Sequence, residues 1–162
     1  MGEKTEMSKL YFSFDDVKNS LHNINRQLVI DSWTPNIVIG PGRGAYVFGV
    51  MLSHYWNVPF EGFTWQTRDG NNNNIQALEK ILLDLPKGSN VLVVDDINDT
   101  GSTLLGISRI IESQHTLQDV RYATIFNKTT SQFKDIDYTS IELTPDYDPW
   151  VVFPYEQWWN QN

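Results

Sequence analysis

Val17, Leu21, Ile24 and Leu28 recur at helical spacing behind Ser13, with Asp15 and Asp16 where a first turn would be. That pattern predicts a helix over 13–31, capped by Ser13 and with acids at the positive end of its dipole. Asn36-Ile37-Val38-Ile39 reads as a buried strand that stops at Gly40-Pro41-Gly42. Val47, Val50, Met51, Leu52 and Tyr55 predict a helix over 45–56, and residues 60–65 read as a second strand. Residues 66–74 are polar, with Gly70 and four consecutive asparagines, which predicts a mobile loop. Beyond it, 75–85 reads as a short helix ending at Pro86, 90–95 as a strand, 102–114 as a helix, and 120–127 and 138–143 as strands. The stretch 146–162 is crowded with Trp150, Phe153, Tyr155, Trp158 and Trp159.

Strand and helix patterns alternate through the middle of the chain, which argues for an α/β fold with a mainly parallel sheet. Ligands in such sheets sit beyond the carboxyl ends of the strands. Two connections stand out on that edge, the one after Ile39 and the one after Val94. There is no internal repeat and no boundary, so 1–162 is expected to form one domain.

Hydrophobic content of 40% and charged content of 20% fit a globular chain. The net charge of −8 disfavours nucleic acid and anionic membranes as partners. Anionic substrates would need a local cluster of amides, cations and metal working against that field. The absence of cysteine excludes disulfides, thiolate chemistry and Cys-based zinc sites. No apolar run is long enough to span a membrane and the start, MGEKTEMSKL, has no signal-peptide core, so a cytoplasmic protein is expected. His22, His54 and His115 lack metal-ligand spacing and read as surface or helix-face residues.

The most informative stretch is VLVVDDINDTGST, residues 91–103. An apolar strand runs into Asp95 and Asp96, then Asp99, then Thr100-Gly101-Ser102-Thr103 opening a helix. Free N–H groups at a helix start bind phosphate. Paired carboxylates bind sugar hydroxyls or Mg²⁺. A phosphorylated sugar presents both kinds of group. A solvated acidic turn is the plain alternative. An acid-rich DDxxD box would need a helix, against which the β-branched run and Gly101 argue.

The stretch resembles the phosphoribosyl pyrophosphate motif of the type I phosphoribosyltransferases: apolar strand, two acids, two variable residues, an acid, Thr-Gly-x-Thr. Gly42-Arg43-Gly44-Ala45 is similar to the family's pyrophosphate loop, usually Ser-Arg-Gly-Gly, and departs from it at Gly42 and Ala45. A further glycine six residues past the arginine is matched by Gly49. Lys128 stands at a strand end where the 6-oxopurine branch has a lysine. Trp150-Val151-Val152-Phe153-Pro154-Tyr155-Glu156 resembles a C-terminal segment of the xanthine-guanine and related enzymes.

The resemblance implies a type I phosphoribosyltransferase-like α/β fold, with a mainly parallel central sheet flanked by helices. A small hood would come from about 138–162, with the N-terminus a further candidate for it. It implies that Asp95 and Asp96 face the ribose hydroxyls, directly or through Mg²⁺, with Glu156 a further metal candidate. Asp99, Thr100, Gly101, Ser102 and Thr103 would wrap the 5′-phosphate. Gly42, Arg43 and Gly44 would bind pyrophosphate, with the arginine forking two oxygens. Lys128, Trp150 and Val151 would hold the base, and Asp99 would be the general base. Trp158 and Trp159 are expected in the core or a subunit contact, and relatives are commonly homodimers or homotetramers. The expected reaction is phosphoribosyl transfer from phosphoribosyl pyrophosphate to guanine, xanthine or hypoxanthine in purine salvage, with loop 66–74 closing over the site. The alternatives are a phosphoribosyl pyrophosphate-binding regulator without catalysis, or a transferase for another base.

Overall fold

The computed structural model describes residues 7–65, 75–114 and 118–160, so loop 66–74 and His115 lie outside the described residues. Its elements are β1 (Lys9–Tyr11), α1 (Phe14–Ile30), β2 (Ile37–Pro41), α2 (Gly42–Trp56), β3 (Phe60–Phe63) and α3 (Ile75–Asp84). Then follow β4 (Asn90–Asn98), α4 (Ser102–Ser113), β5 (Asp119–Lys128), β6 (Tyr138–Leu143) and β7 (Trp150–Val152). Ser13 caps α1 as its pattern predicts. Asp16 N donates to Ser13 Oγ at 3.0 Å and Ser13 N to Asp16 Oδ2 at 2.9 Å, a complete capping box.

Five strands form one parallel sheet in the order β3-β2-β4-β5-β6. Alternate residues of β4 serve its two faces. Leu92 and Val94 join Val38, Ile125, Leu21 and Phe48 in the core under α1 and α2. Val91 and Val93 join Ile39, Leu82, Leu104 and Ile107 in the core under α3 and α4. The chain leaves β2 for β3 on one side and returns to place β4 on the other. The crevice between the ends of β2 and β4 is therefore a topological switch point, where α/β sheets bind ligands.

The structure differs from the sequence reading in four places. First, β4 runs on through the acids to Asn98, because Ile97 and Asn98 keep their ladder with Phe126 and Asn127. Second, α2 begins at Gly42 rather than 45, so Gly42, Arg43 and Gly44 are its first turn and not a loop. Third, β6 is the edge strand of the central sheet. The small second layer is the parallel pair β1-β7, with Lys9 opposite Trp150 and Tyr11 opposite Val152. The hood thus joins the N-terminal strand to the segment after Leu143.

Fourth, Trp158 and Trp159 are each 66% exposed, which removes the core from the two places expected for them. The ring that pins this segment is Phe153, 2% exposed. It meets Phe48 and Phe126 edge-on, with centroids 5.6 and 5.8 Å away, and stacks on Tyr155 at 5.6 Å. His22 and His54 are exposed on their helices. Among the described residues no helix is long and apolar enough to cross a membrane.

Phe153→Ala is expected to lower stability by about 3–5 kcal/mol, because the cavity lies where three elements meet. Urea unfolding measures it, and a loss of only a few tenths would mean the segment is anchored elsewhere.

Candidate functional site

Asp95 and Asp96 occupy successive positions of β4, so their side chains leave opposite faces of the sheet. Asp96 lies against the first turn of α2. A Cβ added to Gly44 would sit 2.5 Å from its Oδ2, so only glycine fits there with the carboxylate in place. Ile97 N donates to Asp96 Oδ1 at 2.7 Å, the Tyr155 hydroxyl donates to Asp96 Oδ2 at 3.3 Å, and Asp96 N donates to Asp95 Oδ1 at 2.9 Å. Burial pushes the Asp95 carboxyl well above its ordinary range, and the charge of Asp96 pushes it further. Burial also raises Asp96, against the pull of its hydrogen bonds. Among the described residues no cation pairs with either acid. Such a pair attracts a cation or a polyol with hydroxyl donors.

Two cavities meet at these acids. The larger, about 950 Å³, is lined by Gly42, Arg43, Gly44, Asp95, Asp96 and Glu156, with Trp65 and Trp159 among its other walls. The smaller, about 230 Å³, is lined by Asp95, Asp99, Thr100, Gly101, Ser102 and Thr103. Asp95 and Thr103 line both. Each cavity also receives a helix start, α2 in one and α4 in the other. Neither N-cap residue, Pro41 or Gly101, offers a side-chain acceptor, and although Ser102 N donates to Thr100 Oγ1 at 3.3 Å, the other first-turn N–H groups can face an anion. Every described peptide bond is trans, and Gly42 enters α2 with φ +59°.

The small cavity is held in shape from beneath. Gly101 takes φ +90°, and a Cβ there would run into the backbone of Gln132 and Phe133. Gln132 N donates to the Thr100 carbonyl at 2.9 Å. Asn98, buried, donates to Asn127 Oδ1 and the Phe133 carbonyl, both at 2.9 Å, and accepts from Ser131 Oγ at 2.9 Å. The Thr100 and Ser102 hydroxyls lie 2.7 Å apart above this frame.

Lys128 stands beside Asp99. Its Nζ stands 2.8 Å from Asp99 Oδ1 and 3.0 Å from Asp148 Oδ1. Burial works to lower its pKa, but the hydrogen bonds and charges of Asp99 and Asp148 prevail and raise it. Asp148 is delivered by a tight turn in which Thr144 and Tyr147 exchange backbone bonds of 3.2 and 3.0 Å. Trp150 is 54% exposed and lines neither cavity. Val151 is half-buried in the β1-β7 pair. Glu156 lines the large cavity, its carboxyl raised by burial and by Asp96.

The fold thus brings Arg43, the acids 95, 96 and 99, residues 100–103, Lys128 and Glu156 to one sheet edge, and leaves Trp150 in solvent. Among the described residues no group of three or more His, Asp or Glu is arranged to hold a metal alone. Asp95, Asp96 and Glu156 are therefore not a self-sufficient metal centre. Mg²⁺ seldom needs one, since it binds through one or two carboxylates together with substrate phosphates and keeps water. The donor set here fits that mode. The sequence reading missed Asn98, Asp148 and Tyr155. Asn98 had a signal, a polar residue flanked by Ile97 and Asp99 where the strand continues. Asp148 and Tyr155 had only their closeness to Trp150 and Glu156.

The profile of the phosphoribosyl transferase domain matches residues 8–157. Among curated relatives, an adenine phosphoribosyltransferase of Methanococcus maripaludis is 29% identical over 86 residues, 48% of this chain and 50% of that protein. A hypoxanthine phosphoribosyltransferase of Salmonella typhimurium is 27% identical over 128 residues, 75% of this chain and 71% of that one. The chain thus spans about half the length of the adenine relative it matches. A purine phosphoribosyltransferase of Pyrococcus horikoshii superposes with a TM-score of 0.73 at 22% identity, over 93% of this chain and 95% of that one. The xanthine-guanine-hypoxanthine phosphoribosyltransferase of Helicobacter pylori gives 0.73 at 19% identity, over 92% and 94%. These two structures share the α/β fold described above.

The acid pair carries its own test. Asp95 has a higher pKa folded than unfolded, so its ionisation costs stability above the unfolded value, and lowering the pH through the folded value relieves that cost. Asp95→Asn, which removes the charge, is expected to stabilise the free protein at neutral pH by about 0.5–2 kcal/mol. Thermal unfolding measures it, and the gain should shrink as the pH falls. A lower melting temperature at neutral pH would mean the pair is not a source of strain.

Proposed function

The chain belongs to the phosphoribosyl transferase family, and we propose that it transfers the 5-phosphoribosyl group from phosphoribosyl pyrophosphate to a 6-oxopurine, releasing pyrophosphate. The observation that carries this reading is that Asp95 lines both cavities. A ribose held there has its 5-phosphate within reach of residues 99–103 on one side. Its pyrophosphate reaches the start of α2 and Arg43 on the other.

The residues divide the work accordingly. N–H groups at the start of α4 and the hydroxyls of Thr100, Ser102 and Thr103 bind the 5-phosphate. Arg43 and the first turn of α2, with glycine at 42 and 44 allowing close approach, bind pyrophosphate. Asp95 and Asp96 accept from the ribose hydroxyls and stabilise the positive charge that builds on the sugar as the anomeric bond breaks. Asp95 and Asp96, with Glu156 beside them in the large cavity, would hold Mg²⁺, which would supply charge neutralisation for the leaving group. Purine N9 attacks the anomeric carbon while the proton on N7 passes to Asp99. Lys128 donates to the purine O6. The exposed Trp150 ring is free to stack on the base, beside backbone groups of Val151.

The lysine favours an oxo over an amino group at position 6, because an ammonium has no acceptor for amino protons. That supports the hypoxanthine and guanine side of the relatives over the adenine side.

Incubation with phosphoribosyl pyrophosphate, Mg²⁺ and each of guanine, xanthine, hypoxanthine, adenine, uracil and orotate tests the proposal. Nucleotide is expected from at least one 6-oxopurine. Nucleotide from adenine alone would assign a different base, and binding of phosphoribosyl pyrophosphate without any product would make the protein a sensor. Asp99→Asn is expected to slow turnover about 10²- to 10⁴-fold. Near-normal turnover would remove Asp99 as the base.

A further inference from the structure

We propose that Tyr155 is a positioning residue for the transfer: its hydroxyl holds the Asp96 carboxylate in the orientation that receives the ribose of phosphoribosyl pyrophosphate. The inference rests on the transferase reading above and gives a role to a residue that this reading leaves idle.

Three contacts fix Asp96. Ile97 N donates to Oδ1 at 2.7 Å, and the Tyr155 hydroxyl donates to Oδ2 from 3.3 Å. On a third side the carboxylate lies against Gly44, where an added Cβ would come within 2.5 Å of Oδ2 and 2.8 Å of Cγ. Among the described residues no lysine or arginine pairs with Asp96, so the hold on Oδ2 falls to a neutral phenol. A phenol keeps its proton at neutral pH, so Tyr155 is a donor here. A carboxylate accepts at about four positions, so the two bonds leave about two for a ligand. Asp96 and Tyr155 both line the large cavity.

The helix that sets the acid also sets the ring. Gly44 and Phe48 are one turn apart on α2 and share a face of it. Gly44 meets the Asp96 carboxylate, and Phe48 meets the Tyr155 ring edge-on with centroids 5.8 Å apart. The buried Phe153 stacks on the same ring at 5.6 Å, with planes 7° from parallel. A side chain packed on two rings has little rotamer freedom left, so its hydroxyl is a fixed point beside Asp96.

Arg43 stands in the first turn of α2 as well, so acid, phenol and the proposed pyrophosphate position are all referred to one helix. Without the hydroxyl, Asp96 keeps its backbone bond at Oδ1 and can turn about it. A misplacement of about 1 Å in a substrate-binding group can cost on the order of 10²-fold in rate. The 3.3 Å separation is longer than the strongest hydroxyl–carboxylate bonds, which lie at about 2.5–2.7 Å. It has room to shorten when substrate is bound, as catalytic hydrogen bonds that are long in free enzymes do.

Tyr155→Phe keeps the ring and its stacking and removes only the hydroxyl, so it is expected to melt as the wild type does. In this variant kcat/KM for phosphoribosyl pyrophosphate is expected to fall roughly 10- to 100-fold, mainly through its KM, with the KM for the purine unchanged. The dissociation constant for phosphoribosyl pyrophosphate with Mg²⁺, measured by calorimetry, should rise by a matching factor. Returning a donor to the same ring, with 4-aminophenylalanine at position 155, should recover most of the loss. If Tyr155→Phe melts lower, 4-methylphenylalanine takes its place as the ring without a donor. No loss on removing the hydroxyl, equal losses for both substrates, or a loss that the amine does not recover would each overturn the inference. A wild type that binds phosphoribosyl pyrophosphate and makes no nucleotide overturns the transferase reading instead, and the binding comparison still decides the role of Tyr155. A wild type that does not bind it overturns both.

Discussion

The pairing of β4 between β2 and β5 is the constraint on which the rest of this molecule depends. Val91 to Val94 feed both hydrophobic layers at once, so neither layer can form unless this strand is in register. The same register decides the chemistry. With Val93 opposite Ile39, the strand carries Asp95 level with the end of β2 at Pro41 and Asp96 one step beyond it, beside the first turn of α2. A slip of one residue would exchange the faces of the two acids and remove Asp96 from Gly44. Burial and function are therefore set by one alignment.

That alignment places negative charge where the protein least tolerates it. Asp95 and Asp96 are raised in pKa by burial, and no cation among the described residues answers them. The nearby polar groups that do answer, Tyr155 and two backbone N–H groups, are donors with no charge. The chain keeps its flanking frame rigid instead. Asn98 makes three hydrogen bonds within the core, and the Thr100 carbonyl is tied to Gln132. A rigid frame around uncompensated charge is the arrangement of a site whose ligand brings the missing donors and cations with it.

Much of this was legible in the sequence because the strongest signals are local. The period of Val17, Leu21, Ile24 and Leu28 with Ser13 before it fixed α1 nearly to the residue, and the apolar run of Val91 to Val94 fixed the central strand. The candidate site followed, since acids and a Thr-Gly-Ser-Thr turn after such a strand have few other uses. What stayed hidden was set by distant partners. Lys9 to Tyr11 has no pattern of its own and becomes a strand only because Trp150 to Val152 lies alongside. The sequence reading placed Gly42 and Gly44 in a loop because the strand stops at Gly40-Pro41-Gly42 and the segment resembles a pyrophosphate loop. They start α2 because Gly42 can take a positive φ and Gly44 makes room for Asp96. The tryptophans at 158 and 159 were expected to be covered on composition alone, and composition does not say which aromatics a terminus buries. Phe153 and Tyr155 took those places.

The C-terminal segment shows how a few packed rings can couple both ends of the site. Phe153 is clamped by Phe12, Phe48 and Phe126, residues from three separate stretches of the chain. On one side of it, Tyr155 reaches Asp96 between the ribose and pyrophosphate positions of the proposed substrate. On the other, the chain runs back through Trp150 to Asp148, which meets Lys128 at the proposed base position. One buried ring thus fixes a hydroxyl beside the acid pair and a carboxylate beside the lysine. The relative placement of Tyr155 and Asp148 is consequently carried by packing, in a segment where the polar residues alone would have left it free.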